Sequence, residues 1–505
     1  MLKKSLVTVV STALLATAAV GCGSGDDKKT GTSASPSAAP ASASPSNGPK
    51  PQLKQLMQFD RYDPNKDPVA TFLKEKTGYD VVYEQLPAEN GDEKLNLLMA
   101  NKEPYDIMKL SSAQFAKLVS SGALEPLDDL LNKYGKNLKA SISQESWDAV
   151  KVDGKIYAIP ETGSGVTVSQ SLVVRQDWMD ELGLKIPTTA DELYNVLKTI
   201  KDKKKIIPLT GGKAPVLPDI ASTFGVTTTW KDSGGKLIHA VEDPGMKDYL
   251  TFMLKLYKEG LIDTEWPVNT ADKAMQKMTS GQAAMFSLSW WIAPNLVNPF
   301  KKNFPNVALT TIPNLKNKEG KAQVLGTGTA VGWFISVPKF AKNKEEAIKY
   351  MDMKLQPDIF KELAIGKEGV HHTFKDGKYF PILPIFNDER NNGSAYLTGV
   401  DEKNYPTYWQ ARSRKDENVA AYFDKFQENA KGIIVLDPLA KAPQLEGISK
   451  NVQKLNKLQE DTFTKFITGA EPIENYDKFL QQWKSSGGDE MIKAANDWYK
   501  TAAKK

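Results

Sequence analysis

At 505 residues, 40% hydrophobic and 25% charged, the chain is long enough for roughly two or three globular domains, and a single cysteine excludes a disulfide framework. The formal charge of +5 falls to +3 if a leader carrying Lys3 and Lys4 is removed. Asp and Glu are interspersed with the lysines throughout, which marks a solvated surface and excludes a nucleic-acid footprint. Arginine is confined to Arg61, Arg175, Arg390, Arg412 and Arg414.

The chain opens with Leu2, Lys3 and Lys4, an apolar run from Leu6 to Val20, and the small residues before Cys22. A charged start, a short apolar run and small residues before a cleavage point predict a secretory leader over residues 1–21, too short to span a bilayer. The stretch resembles the lipobox of bacterial lipoproteins, which implies that the Cys22 thiol takes a diacylglyceryl group. An ordinary secretory signal with a chance cysteine is the alternative, and the lack of any other cysteine favours lipidation. Lipid alone would then hold the protein to the outer face of the membrane. Residues 22–51 are rich in Ser, Ala and Pro with almost nothing to bury, and are predicted to form a disordered tether.

The folded part is predicted to begin near Gln52, with a strand alternating through Leu53, Gln55, Met57 and Phe59. Asp63, Asn65 and Asp67 look like the start of a calcium loop, but Pro68 stands where glycine is required and Lys74 where glutamate is required. A helix over Val69 to Lys76, a strand over Asp80 to Glu84, a helix over Glu93 to Ala100 and a strand over Asp106 to Leu110 follow. This alternation predicts a mainly parallel sheet with helices on its faces, and ligands at the carboxyl ends of the strands, near Asp60, Arg61, Ser111 and Ser112. A further helix over Gln114 to Val119 ends at Gly122, and Asp153-Gly154 begins a hairpin turn before Ile156 to Pro160. A polar stretch from Glu161 to Ser171 then leads to a strand at Leu172 to Val174 and a helix from Arg175.

Asp153 to Pro160, Leu172 to Leu184 and Pro187 to Leu193 together resemble the family 1 extracellular solute-binding lipoproteins, the sugar-capturing subunits of ABC importers, in their long Gram-positive subclass. Met278 to Met285, Gly326 to Ser336 and Phe466 to Ile473 support the resemblance. It implies a two-lobed α/β fold of the type II periplasmic-binding-protein kind, with a ligand cleft between the lobes. On this pattern residues 52–165 begin lobe 1, 166–325 begin lobe 2, 326–395 return to lobe 1, and 396–505 form a C-terminal helical part, mostly in lobe 2. The residues agree: Thr189 to Glu192 reads as a capping box, and Leu193, Val196, Leu197 and Ile200 form one helical face. Some members of the subclass carry an acidic calcium loop after this helix. Here Lys201 to Lys205 holds one carboxylate among four lysines, so no metal or cofactor is expected.

Sugars stack their C–H faces on indole rings while their hydroxyls take polar partners. Trp290 and Trp291, at the end of a predicted strand, are the leading ligand candidates, followed by Trp230, Trp333 and Trp409. Asp60, Arg61, Ser111, Ser112 and Glu161 are the polar candidates, each equally readable as a solvated loop residue. Trp147, Trp178, Trp266, Trp483 and Trp498 are assigned to packing. A surface glycoside hydrolase or a carbohydrate-binding adhesin are the competing classes. Nothing singles out a carboxylate pair, hydrolase elbow, zinc motif or phosphate loop, and neither a β-sandwich nor a repeat array is visible. The expectation is a non-enzymatic monomer that closes on an oligosaccharide or sugar derivative and presents it to membrane permeases.

Overall fold

The computed structural model describes residues 49–58, 62–87 and 90–502. The predicted leader, Cys22, most of the tether, and Asp60 and Arg61 lie outside the described residues. The main strands, in chain order, are β1 (Leu53–Gln58), β2 (Val81–Leu86), β3 (Ile107–Leu110), β4 (Ile159–Thr162), β5 (Gln170–Arg175), β6 (Ile207–Thr210), β7 (Ala283–Ser289), β8 (Leu309–Thr311), β9 (Val324–Leu325), β10 (Val331–Ser336) and β11 (Ile434–Val435).

One sheet has the order β2-β1-β3-β10-β4, and a second has β8-β5-β7-β6. The predicted alternation does produce parallel pairing of β1 with β2 and β3. The sheet is nonetheless mixed, because β10 enters from far along the chain and runs antiparallel to both β3 and β4. Within β1, Leu53, Gln55, Leu56 and Met57 are all buried, so helices cover both faces and the predicted alternation of exposure is lost.

Local signals set the helices. Pro68–Thr77 starts where the Asp67 carboxylate accepts the Val69 N–H at 2.9 Å and ends at Gly78 in the left-handed region. Ala190–Lys204 starts with the Thr189 hydroxyl accepting the Glu192 N–H at 3.2 Å, and buries Leu193, Val196, Leu197 and Ile200 as their spacing predicts. The reciprocal half of the predicted box differs: the Glu192 carboxylate reaches one residue further back, to the Thr188 N–H and hydroxyl.

Each sheet has its own core. The first gathers Leu53 to Ile159 with Phe334 to Ala411, and the second gathers Leu172 to Leu315 with Leu455 to Ala495. A change of core does not coincide with residue 396, since Tyr396, Leu397, Val400, Tyr405 and Ala411 all pack into the first. Among the described residues no helix is long and apolar enough to cross a membrane.

Candidate ligand-binding groove

Three chain segments join the two sheets. Residues 163–169 lead from β4 to β5, and β9 leads through residues 326–330 to β10. Thr167 and Thr327 exchange backbone hydrogen bonds of 2.9 Å in both directions. The chain crosses a third time between helix Tyr405–Ser413, which packs in the first core through Tyr405 and Ala411, and helix Glu417–Asn429, whose Phe426 packs with Val173 and Phe286 of the second sheet. Further on, β11 pairs in parallel with β9, Gly326 N–H donating to the Val435 carbonyl at 2.9 Å. The lobe bounds read from the sequence put the first two crossings here and the third at residues 395/396, ahead of where it lies. A Cβ on Gly163 would lie 2.4 Å from the Gly328 carbonyl oxygen. One on Gly328, where φ is +93°, would lie 2.3 Å from that of Gly165. Gly328→Ala should therefore push the crossovers apart and destabilise the protein by about 2 kcal/mol or more. Urea unfolding checks this, and an unchanged midpoint would contradict it.

At the carboxyl ends of β1 and β3 lies a cavity of about 370 Å³, lined by Gln58, Lys109, Glu161, Trp333, Tyr405 and Trp409 among others. Lys109 stands opposite Ile335 and Glu161 opposite Trp333, so strand alternation puts all four on one face of the sheet. Lys109 Nζ donates to Glu161 Oε1 at 2.7 Å, with side chains only 5% and 7% exposed, and sits 5.6 Å from the centre of the Trp333 ring. The other carboxylate oxygen, Glu161 Oε2, is buried without a hydrogen-bond partner. Burial pushes the Glu161 carboxyl upward, against the opposing pull of Lys109 and Lys354.

Lys354, fully buried at the end of helix Lys344–Lys354, donates to the Tyr396 carbonyl at 2.5 Å. Burial, with Lys109 adding to it and Glu161 opposing, brings its ammonium down to about 7. In the unfolded chain the group returns to its ordinary 10.5, so between about pH 7 and pH 10 the unfolded state binds more protons and stability rises with pH. Lys354→Met should thus stabilise the protein by on the order of 2 kcal/mol at pH 6, after allowing for the lost hydrogen bond, and by much less at pH 10. Chemical denaturation at the two pH values checks the difference, and an equal effect at both would contradict it.

A second cavity, of about 300 Å³, lies at the carboxyl end of β7 and is lined by Ser169, Gln170, Asp219, Trp291 and Thr327 among others. Asp219 is buried and accepts from the Ser287 hydroxyl and from Gln170 Nε2 at 3.2 Å. Burial raises its carboxyl, and these two donors partly offset the rise.

Trp290 and Trp291 occupy a short turn, Trp290–Ile292, at the end of β7. Trp291 is 51% exposed, and Trp290 is half-buried with its ring edge-on to Trp291 (5.1 Å), Trp409 (5.6 Å) and Phe423 (5.3 Å). Trp333, Trp409, Trp290 and Trp291 therefore form an aromatic path from the first cavity to the second.

The remaining candidates sit elsewhere. Ser111 is the N-cap of helix Ser112–Ser120, in a complete capping box with Gln114. Ser112 and Trp230 line a separate, largely apolar cavity of about 500 Å³. Trp230 is buried, its ring edge-on to His239, and its backbone N–H donates to the Asp437 carboxylate at 2.9 Å. Of the tryptophans assigned to packing, Trp147, Trp266 and Trp483 are buried. Sequence reasoning missed Gln58, Lys109, Gln170 and Asp219. Lys109 had a visible signal, a lone lysine inside the apolar Ile107–Leu110; Asp219, beside Pro218, reads only as a helix start.

Residues 61–358, more than half of the chain, match the family model for bacterial extracellular solute-binding proteins. An uncharacterized protein in the butB 5' region of Niallia circulans is 55% identical over 257 residues, covering 51% of this chain and 100% of that one. The polygalacturonan/rhamnogalacturonan-binding protein YtcQ of Bacillus subtilis is 25% identical over 461 residues, covering 87% and 89%. Among solved structures, an extracellular solute-binding protein from Bifidobacterium longum subsp. infantis superposes with a TM-score of 0.68 at 19% identity, covering 90% of this chain and 98% of that one, a likeness of fold.

Proposed function

Because the chain belongs to the bacterial extracellular solute-binding proteins, a non-enzymatic family, we propose that it captures an oligosaccharide between its two sheet bodies and hands it unchanged to the permeases of an ABC importer. The observation that carries this reading is the aromatic path Trp333, Trp409, Trp290 and Trp291, with carboxylate and amide groups at each end. Indole faces bury sugar C–H surface, and the polar groups take up hydroxyls. The polysaccharide named for the YtcQ relative supports a carbohydrate ligand.

The three crossovers are the hinge. A ligand touching both bodies favours the closed form by its differential contacts, and the closed form is what a transporter reads. The two lobes of this reading are the bodies built on the two cores, and the protein acts as a monomer. Cys22, once lipidated, holds it to the outer membrane face through the tether.

A thermal-shift panel of oligosaccharides on the full chain, with chromatography of the recovered ligand, tests capture. The reading expects a rise in melting temperature and sugar of unchanged length. Shortened sugar, or no shift with any member, would overturn it. Cys22→Ala tests the anchor, and should move the protein from the membrane fraction to the medium.

A further inference from the structure

The sugar-capture reading leaves the charge of the ligand open, and the groove narrows it. Among the described residues, the two cavities on the aromatic path are lined by two buried carboxylates, Glu161 and Asp219, and by a single cation, Lys109. That cation is already committed: Lys109 Nζ reaches Glu161 Oε1 at 2.7 Å and the carbonyls of Ala395 and Leu397 at 3.4 and 3.5 Å. Glu161 Oε2 remains a buried acceptor with no donor.

Carboxylate ligands are held most effectively by paired guanidinium donors. The described arginines are spent elsewhere. Arg175 grips Asp177 through two hydrogen bonds, Arg414 pairs with Asp424, Arg412 donates to three backbone carbonyls, and Arg390 donates to the Glu389 carbonyl. A uronate entering this groove would set its negative charge beside two buried carboxylates, with no unpaired cation among the described lining residues to meet it. A neutral sugar brings hydroxyl donors, and one of them completes Glu161 Oε2.

Resting on the sugar-capture reading, we infer that the groove takes a neutral, hydroxyl-bearing oligosaccharide and rejects uronate oligomers, with Glu161 Oε2 and Asp219 as the discriminating groups. This separates the chain from the polygalacturonan binding for which the YtcQ relative is named.

The test is calorimetric titration of the full chain with matched pairs, such as galacto-oligosaccharides and oligogalacturonates of equal length, at pH 7 and low salt. The neutral member of a pair should bind at least tenfold more tightly. Glu161→Gln and Asp219→Asn, each first checked for an intact melting transition, should shrink that ratio several-fold, most of all in the double variant. A uronate that binds as tightly as its neutral counterpart, or more tightly, overturns the inference while leaving sugar capture standing. A ratio unmoved in folded variants overturns the role of the two carboxylates. Binding of neither class across the pairs removes the capture reading, and this inference with it.

Discussion

Lys109→Met should destabilise the protein by about 3–5 kcal/mol, the largest stability effect of any single change in the groove. The substitution leaves Glu161 buried without its nearest cation, and at side-chain exposures of 5% and 7% water is a poor replacement for Lys109. Lys354 compensates in part, which favours the lower end of that range. The double variant Lys109→Met/Glu161→Leu should recover most of the loss, because removing both charges removes the desolvation cost with the attraction. The penalty also has a pH signature. Without Lys109 the Glu161 carboxyl, already raised by burial, rises further above its ordinary 4.5. Across the window between the unfolded and folded values the native state binds the extra proton, so the variant loses stability as pH rises. The deficit relative to wild type should be smaller at pH 5 than at pH 8. Guanidinium unfolding at both pH values decides the matter, and a pH-independent deficit below about 1 kcal/mol would contradict the buried pair.

Trp291→Ala should weaken oligosaccharide binding by about 2 kcal/mol, roughly 30-fold, while hardly moving the melting temperature. The separation follows from placement: at 51% exposure the ring contributes little to the core, yet it lines the second cavity. Trp409→Ala would be a less clean variant, because its ring packs against both Trp290 and Phe423. Calorimetry with a ligand of the wild-type protein, beside a thermal melt, measures both quantities. Unchanged affinity would place the sugar elsewhere than the aromatic path.

Much of the fold was legible because its signals are local. The stretch from Leu53 to Leu110 alternates strand and helix as its pattern predicts, and the apolar stripe of Ala190–Lys204 buries the residues its period selects. What was not legible depends on distant pairing. Nothing in Val331–Ser336 announces that it inserts beside β3 in the first sheet, and Ile434–Val435 is two residues long, indistinguishable from a loop until β9 lies beside it.

The site divides in the same way. Tryptophans at a strand end can be read as candidates from composition and position, and Trp290 and Trp291 do diverge, one ring half-buried and the other exposed. Strand alternation is not what separates them, since both lie in the turn that follows β7. Ser111 illustrates the opposite error: a serine after a strand end is as readily an N-cap as a ligand contact, and here Gln114 completes the cap. The Lys109 and Glu161 pair joins residues 52 positions apart, and only the insertion of β10 between their strands sets their spacing.

Small-angle X-ray scattering of the full chain, with and without saturating oligosaccharide, bears most directly on closure of the two bodies around a captured sugar. Contraction of the radius of gyration on binding, lost or diminished in Gly328→Ala, is the predicted outcome. Saturated binding with an unchanged scattering curve would contradict it.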